Sequence, residues 1–254
     1  MKIGIQTRPW GPEKNRQQLP QVLAEIVSAG YDGVEIGAQH LDITKPDTFR
    51  QLLTRHGLQP VAIHVGGEIY NPQAVKEALD NLERAVVFAA QAGAMFLAFS
   101  GKAKENKTTE EFQVEAESLS RVGQLCRENG IRLAYHNHYW EIQDDCRELR
   151  SICEHTDPAL VSLCLDVAWA HRAGSQPAQV AQTFLDRIAY FHIKDTTATE
   201  WREVGYGDLD FDALFAVIRT REWPWLVVEQ DETQRAPVES ARASREYLRR
   251  QWNV

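Results

Sequence analysis

The chain has 254 residues, 43% of them hydrophobic, enough to bury a large core and to exclude both a disordered chain and a small disulfide-stapled scaffold. Lys and Arg number 28 against 36 Asp and Glu, a net charge of −8; a phosphate backbone needs a concentrated basic face, so no nucleic-acid partner is expected. The N-terminal MKIGIQTRPW lacks the apolar stretch of a signal peptide, and no run approaches the roughly 18 apolar residues of a membrane span, so a cytoplasmic protein without membrane contact is the expectation.

In chain order, short apolar runs bounded by turn residues occur at KIGIQ (2–6), GVEIG (33–37), PVAIHVG (60–66), MFLAFSG (95–101), IRLAYHNH (131–138), VSLCLDVAW (161–169), IAYFHIKD (188–195) and WLVVEQD (225–231). Segments with helical spacing lie between them, such as Leu19, Val22, Leu23, Ile26 and Val27, or Val75, Leu79, Leu82, Val86, Val87 and Ala90. Gly30, Gly57, Gly93 and Gly130 each stand after a helical pattern and before a strand, where a left-handed cap is wanted. Near-continuous apolar strands alternating with helices indicate a parallel sheet covered by helices, and eight such units at this length predict an α/β fold, a (β/α)8 TIM barrel formed by one domain over 1–254.

The polar stretch KAKENKTTE (102–110) reads as an exposed loop ending in a Thr N-cap, and SARASREYLRR (240–250) as a solvated last helix. Cys126, Cys146, Cys153 and Cys164 have no CxxC spacing and are expected to be reduced. No GxGxxG or GxxxxGK[ST] follows a strand, so nucleotide binding has no support.

Ionisable residues gather at the C-terminal ends of the runs: Glu35, His64, His136, Asn137, His138, Glu141, Asp166, His171, His192, Lys194, Asp195, Glu229 and Asp231. In a (β/α)8 barrel that end is the catalytic face, so these side chains converge on one bowl. Imidazoles with carboxylates and no thiolate suit a catalytic divalent ion rather than a structural zinc site. Strand alternation pairs His136 with His138 and Tyr135 with Asn137, and the histidines are the pair expected to point inward. The same rule groups His192 with Lys194 and Glu229 with Asp231, leaving Phe191, Ile193 and Val228 for the helix side.

At YDGVEIG (31–37), YHNHYWEI (135–142), LDVAWAHRAG (165–174), RIAYFHIKD (187–195), VGYGDLDF (204–211) and WLVVEQD (225–231) the sequence resembles the xylose-isomerase-like TIM-barrel superfamily. That is the sugar phosphate isomerase/epimerase group, which also includes inosose dehydratases and the endonuclease IV fold. The resemblance implies one divalent ion, Mn²⁺ first with Co²⁺, Mg²⁺ or Zn²⁺ as alternatives. Its ligands follow the fifth to eighth runs, and Asp166, His192 and Glu229 match directly. The usual Glu position of the fifth run holds His136; either Glu141 curls back as the ligand or a histidine replaces it, and Glu141 is ranked first. The YHNH pattern leans the chain toward the subgroup resembling inosose dehydratases and enzymes of 3-keto sugars.

The activity so implied is that of a divalent-metal-dependent isomerase or epimerase acting on a keto-sugar or keto-polyol through an enediolate. His136 or His138 would serve as acid or base, Lys194 as anchor or proton donor, and Glu229 as both ligand and substrate neighbour. Glu35, His64, Asn137, Trp169, His171 and Asp231 are the candidate substrate contacts, with Trp10, Trp140 and Trp169 as aromatic walls. A lyase of the inosose-dehydratase type is the alternative, sharing the first proton transfer. Endonuclease IV-like repair and a non-catalytic sugar-binding barrel are remote ones. The expected partner is a small, unphosphorylated carbohydrate or polyol, with a homo-oligomer the one macromolecular association left open.

Overall fold

Every apolar run becomes a strand in the computed structural model, which describes residues 1–254. The strands are β1 (Lys2–Gln6), β2 (Gly33–Gly37), β3 (Gln59–Gly67), β4 (Phe96–Gly101), β5 (Arg132–His136), β6 (Val161–Asp166) and β7 (Ile188–Ile193). A small antiparallel hairpin follows, β8 (Asp195–Thr196) with β9 (Trp201–Arg202), before β10 (Trp225–Val228). Strands β1 to β7 and β10 are parallel and close in the order β1, β10, β7, β6, β5, β4, β3, β2. Around them lie α1 (Gly11–Gln17), α2 (Leu19–Ser28), α3 (Pro46–His56), α4 (Val75–Ala92), α5 (Thr109–Glu128), α6 (Tyr139–His155), α7 (Val167–Arg172), α8 (Pro177–Thr183), α9 (Phe211–Ile218) and α10 (Pro237–Trp252). No helix is long and apolar enough to cross a membrane.

Two apolar layers follow from strand alternation. The larger packs helices against the outer face of the barrel and includes Phe191, Ile193 and Val228. The smaller fills the barrel interior with Val61, Phe96, Ala134, Cys164, Tyr190 and Trp225 among others, with Phe96 stacked on Tyr190 at 4.7 Å. This floor lies below the polar residues at the C-terminal strand ends. Gly57 and Gly93 end α3 and α4 at φ 69° and 82°, in the left-handed region that favours glycine.

Two local differences from the sequence reading have physical causes. The run 161–169 does not continue as a strand, because Asp166 Oδ1 accepts the N–H groups of Ala168 (3.0 Å) and Trp169 (2.9 Å) and starts α7. Within the polar loop 102–110, Thr108 caps α5 as expected, in a reciprocal box with Glu111. Lys107, however, is buried rather than exposed, since its ammonium lies 2.9 Å from Glu115 and 2.7 Å from Glu148. All four cysteines are free thiols.

Candidate active site

Four side chains from four strand ends meet at the top of the barrel. His136, Asp166, His192 and Glu229 are all buried, and one potential ligand atom from each lies within 4.8 Å of all the others. His136 Nε2 is 3.4 Å from Asp166 Oδ2 and 3.7 Å from Glu229 Oε2, while His192 Nδ1 is 3.2 Å from Glu229 Oε2. The β5 to β6 and β6 to β7 pairings bring the first three together, because Asp166 lies opposite His192 and His136 opposite Cys164. Two nitrogens and two carboxylates in a water-poor bowl form a donor set of the type used by catalytic divalent ions.

Lys194 enters from the same side, fully buried, and forms ion pairs with Asp231, with Glu229 at 3.1 Å and with Asp166 at 3.4 Å. Burial opposes its charge, but the three carboxylates outweigh that and raise its pKa above the ordinary lysine value. Burial likewise opposes ionisation of Glu229, yet Lys194 and His192 hold its carboxyl well below the usual range. Asp231 continues the chain outward to Arg8 Nε at 2.5 Å. Those two residues, with Gln6 and His40, line a cavity of about 740 Å³ at the mouth of β1 and β2.

Beneath the cluster, Glu35 is the common acceptor. Its carboxylate takes the Tyr190 hydroxyl at 2.8 Å, His192 Nε2–H at 3.0 Å and His64 Nδ1–H at 2.9 Å. With no exposed surface left, Glu35 is a support for the imidazoles, not the substrate contact expected of it. His64 is half-buried, and its Nε2 lies 2.8 Å from Ser100 Oγ, which is in turn 3.1 Å from His136 Nδ1. Ser100 carries no charge and belongs to no motif, so the sequence offered no signal for it.

Several expectations change on the strand 5 side. Glu141 does not join the cluster: Oε1 accepts the Tyr135 hydroxyl at 2.8 Å and Oε2 the His138 backbone N–H at 2.7 Å. Its side chain is used to start α6 from behind the barrel wall. The strand 5 member of the group is His136. Asn137 faces away from the bowl, as alternation requires, and reads the backbone of Asp166: Nδ2 donates to its carbonyl at 3.2 Å and Oδ1 accepts its N–H at 2.9 Å. It is a brace between β5 and β6, not a substrate contact.

His138 sits above the cluster, its ring stacked on Trp140 at 4.4 Å and edge-on to His136 at 5.0 Å. Burial, with His136 second, pushes its pKa down to about 2, so the imidazole is neutral, and its buried Nδ1 has no hydrogen-bond partner. His171 lies in the last turn of α7, half-buried, and takes no part in these contacts. Trp10 is in the core, donating from Nε1 to Glu25 at 2.6 Å, and is no wall of the site.

The β8–β9 hairpin, which no sequence pattern announced, roofs the bowl. Trp201 meets Trp169 edge-on at 4.7 Å, and the Lys194 ammonium lies 4.4 Å from its ring centre. Asp195 ties this roof down. Its carboxylate accepts N–H groups from Thr196 (2.8 Å), Gly205 (2.9 Å), Gly207 (2.8 Å) and Leu209 (3.4 Å).

Comparison with known proteins places the fold among enzymes. A curated inosose dehydratase of Geobacillus kaustophilus is 26% identical over 267 aligned positions, covering 91% of this chain and 86% of that protein. Among solved structures, a sugar phosphate isomerase/epimerase of Parabacteroides distasonis superposes with a TM-score of 0.84 at 21% identity, covering 99% of this chain and 94% of the other. The apo 3-keto-D-glucoside 4-epimerase of E. coli does so with 0.79 at 20% identity, over 98% and 99%. At those identities the two structures show a common fold. A family model described as xylose isomerase-like TIM barrel matches residues 23–251. That span holds every member of the four-residue cluster, and the chain belongs to the xylose isomerase-like TIM barrel family.

Proposed function

We propose that this protein is a divalent-metal-dependent lyase that removes the proton next to the carbonyl of a polyhydroxy ketone and then expels a β-hydroxyl as water. The observation that carries the metal reading is His136 Nε2, a buried nitrogen with no hydrogen-bond partner, facing two carboxylates and a second imidazole. An unpaired buried polar atom is costly, and a cation removes that cost. His136, Asp166, His192 and Glu229 would hold the ion, with Mn²⁺ the first choice for two nitrogens and two carboxylates. Bound there, a divalent ion supplies Lewis-acid stabilisation of negative charge developing on a carbonyl oxygen.

The chain's own groups supply the proton chemistry. His138, above the cluster with a buried unpartnered Nδ1, takes the proton from carbon, and the burial that depresses its pKa makes the resulting imidazolium a strong acid that gives the proton up again. Lys194 stays charged among Asp166, Glu229 and Asp231, and holds these carboxylates ionised and in place rather than giving up its proton. The proton on His138 is then the one returned to the departing hydroxyl as the C–O bond breaks, so one imidazole serves as base and acid on one face. Trp140 and Trp169 pack on its ring and Trp201 packs on Trp169, so that the three keep water out. The likeness to inosose dehydratase over most of both chains supports a keto-polyol substrate.

An epimerase shares the first proton transfer but needs a donor on the opposite face of the same carbon, and an isomerase must return the proton to the neighbouring carbon; His64, a further imidazole beside His136, has both ring nitrogens engaged, by Glu35 and by Ser100. The test is incubation with Mn²⁺ and a panel of inososes and 3-keto-glucosides in D2O, followed by NMR. Loss of water with growth of an unsaturated or diketone product is expected. Epimer formation without loss of water would favour the isomerase or epimerase, and absence of α-proton exchange in every compound would sink enolisation itself.

A further inference from the structure

We propose that Ser100 is a positioning residue that sets the tautomer of His136, passing on through its hydroxyl a hydrogen-bond direction fixed at Glu35. The proposal rests on the metal-centre reading above but concerns a residue outside the ligand set. Its starting point is a difference in hydrogen-bonding capacity. An ionised carboxylate only accepts, a neutral imidazole has one donor and one acceptor nitrogen, and a serine hydroxyl has one proton to give and lone pairs to receive.

Glu35 accepts at 2.9 Å from His64, so the His64 proton is on Nδ1 and its Nε2 is a bare acceptor. The hydroxyl 2.8 Å away must then donate to that nitrogen, since two acceptors would repel. With its single proton spent, Ser100 Oγ can only accept from His136 Nδ1 at 3.1 Å. His136 therefore carries a proton on Nδ1, and Nε2 is the nitrogen left facing Asp166 and Glu229, free to take a cation between them. That nitrogen is the buried atom left without a partner.

The same carboxylate orients the second imidazole directly. Glu35 takes His192 Nε2–H at 3.0 Å, so Nδ1 is the His192 nitrogen that faces Glu229, at 3.2 Å. One buried acceptor thus orients two nitrogens from β5 and β7, the strands that flank β6, one through a single bond and the other through His64 and Ser100. Partners that orient a ligating imidazole in this way typically change metal affinity 10- to 100-fold when removed.

The experiment uses the full chain, uniformly ¹⁵N-labelled and metal-free at mildly alkaline pH, with long-range ¹H–¹⁵N correlations to read histidine tautomers. Isothermal titration with Mn²⁺ gives affinity. In the wild type, His64 and His136 are expected to carry a proton on Nδ1. Ser100→Ala should mix the His136 tautomers, leave His192 unchanged and weaken Mn²⁺ binding about 10- to 100-fold. Ser100→Thr, which keeps the hydroxyl, should restore both readouts, whereas simple loss of packing would not move the tautomer. An Nε2–H tautomer of His136 in the wild type, or wild-type tautomer and affinity in Ser100→Ala, overturns the proposal. A wild type that fails to bind Mn²⁺ while keeping the expected tautomers supports the relay and overturns the metal reading instead.

Discussion

His138 and Glu141 are joined by a 2.7 Å hydrogen bond from the backbone N–H of the first to Oε2 of the second. The other oxygen of Glu141 accepts the Tyr135 hydroxyl, so one carboxyl fixes both the entry to α6 and the backbone from which His138 projects. Burial raises the pKa of Glu141 from 4.5 to about 7.

Glu141→Gln should therefore leave metal content at the wild-type level and lower stability by about 1 kcal/mol through the weakened cap. Because the folded pKa lies above the unfolded one, the contribution of Glu141 to stability is fully present below about pH 4.5 and is lost as pH rises through about 7. Urea unfolding across that range should show a decline in the wild type that the variant lacks. Loss of bound metal in Glu141→Gln would return this residue to the ligand set.

Asp166 has two tasks on two oxygens, capping α7 through Oδ1 and facing His136 through Oδ2. Asp166→Asn keeps a side chain able to cap and should lose metal with little change in melting temperature. Asp166→Ala should lose both metal and about 1 kcal/mol of stability. Elemental analysis with thermal unfolding checks the pair, and an Asn variant with full metal occupancy contradicts the assigned site.

His138→Asn tests the proton-transfer role. Metal content should be unchanged, and exchange of the substrate α-proton with D2O should slow by roughly 10²- to 10⁴-fold, the usual contribution of a general acid–base group. An unchanged exchange rate would move the base elsewhere.

Away from the site, Lys107 holds Glu115 and Glu148 together in a buried trio. Lys107→Met leaves two carboxylates facing each other with no cation and should cost about 3–5 kcal/mol in chemical denaturation. Adding Glu115→Gln and Glu148→Gln should recover much of that loss. Equal stability of the single variant and the wild type would refute the burial argument.

The barrel was legible because period-two burial and helix-stopping glycines act locally: KIGIQ and GVEIG match β1 and β2 residue for residue. Asp166, His192 and Glu229 were placed at the bowl by their strand-end positions and named as ligands by the family resemblance, and the structure brings them together with His136. Glu141 and Asn137 were misread because spacing shows that a polar group is near the bowl, not which backbone N–H it serves. Ser100, Lys107 and the Trp201 hairpin were missed for a related reason. Their partners lie 36 residues away for Ser100 and His136, and up to 41 for Lys107 and Glu148, and no local pattern marks such pairings.

The four N–H groups gathered by Asp195 have a consequence for how this site can vary. A methyl group at Gly207 would lie 2.2 Å from Asp195 Oδ1, and one at Gly205 would lie 2.2 Å from the Tyr247 ring. Loop 205–209 therefore cannot exchange its glycines without releasing the clasp that stations Trp201 above Lys194. Diversification of the pocket is channelled to the mouth of β1 and β2, where Arg8, Gln39 and His40 border open space, so relatives with different substrates should differ there while keeping the clasp.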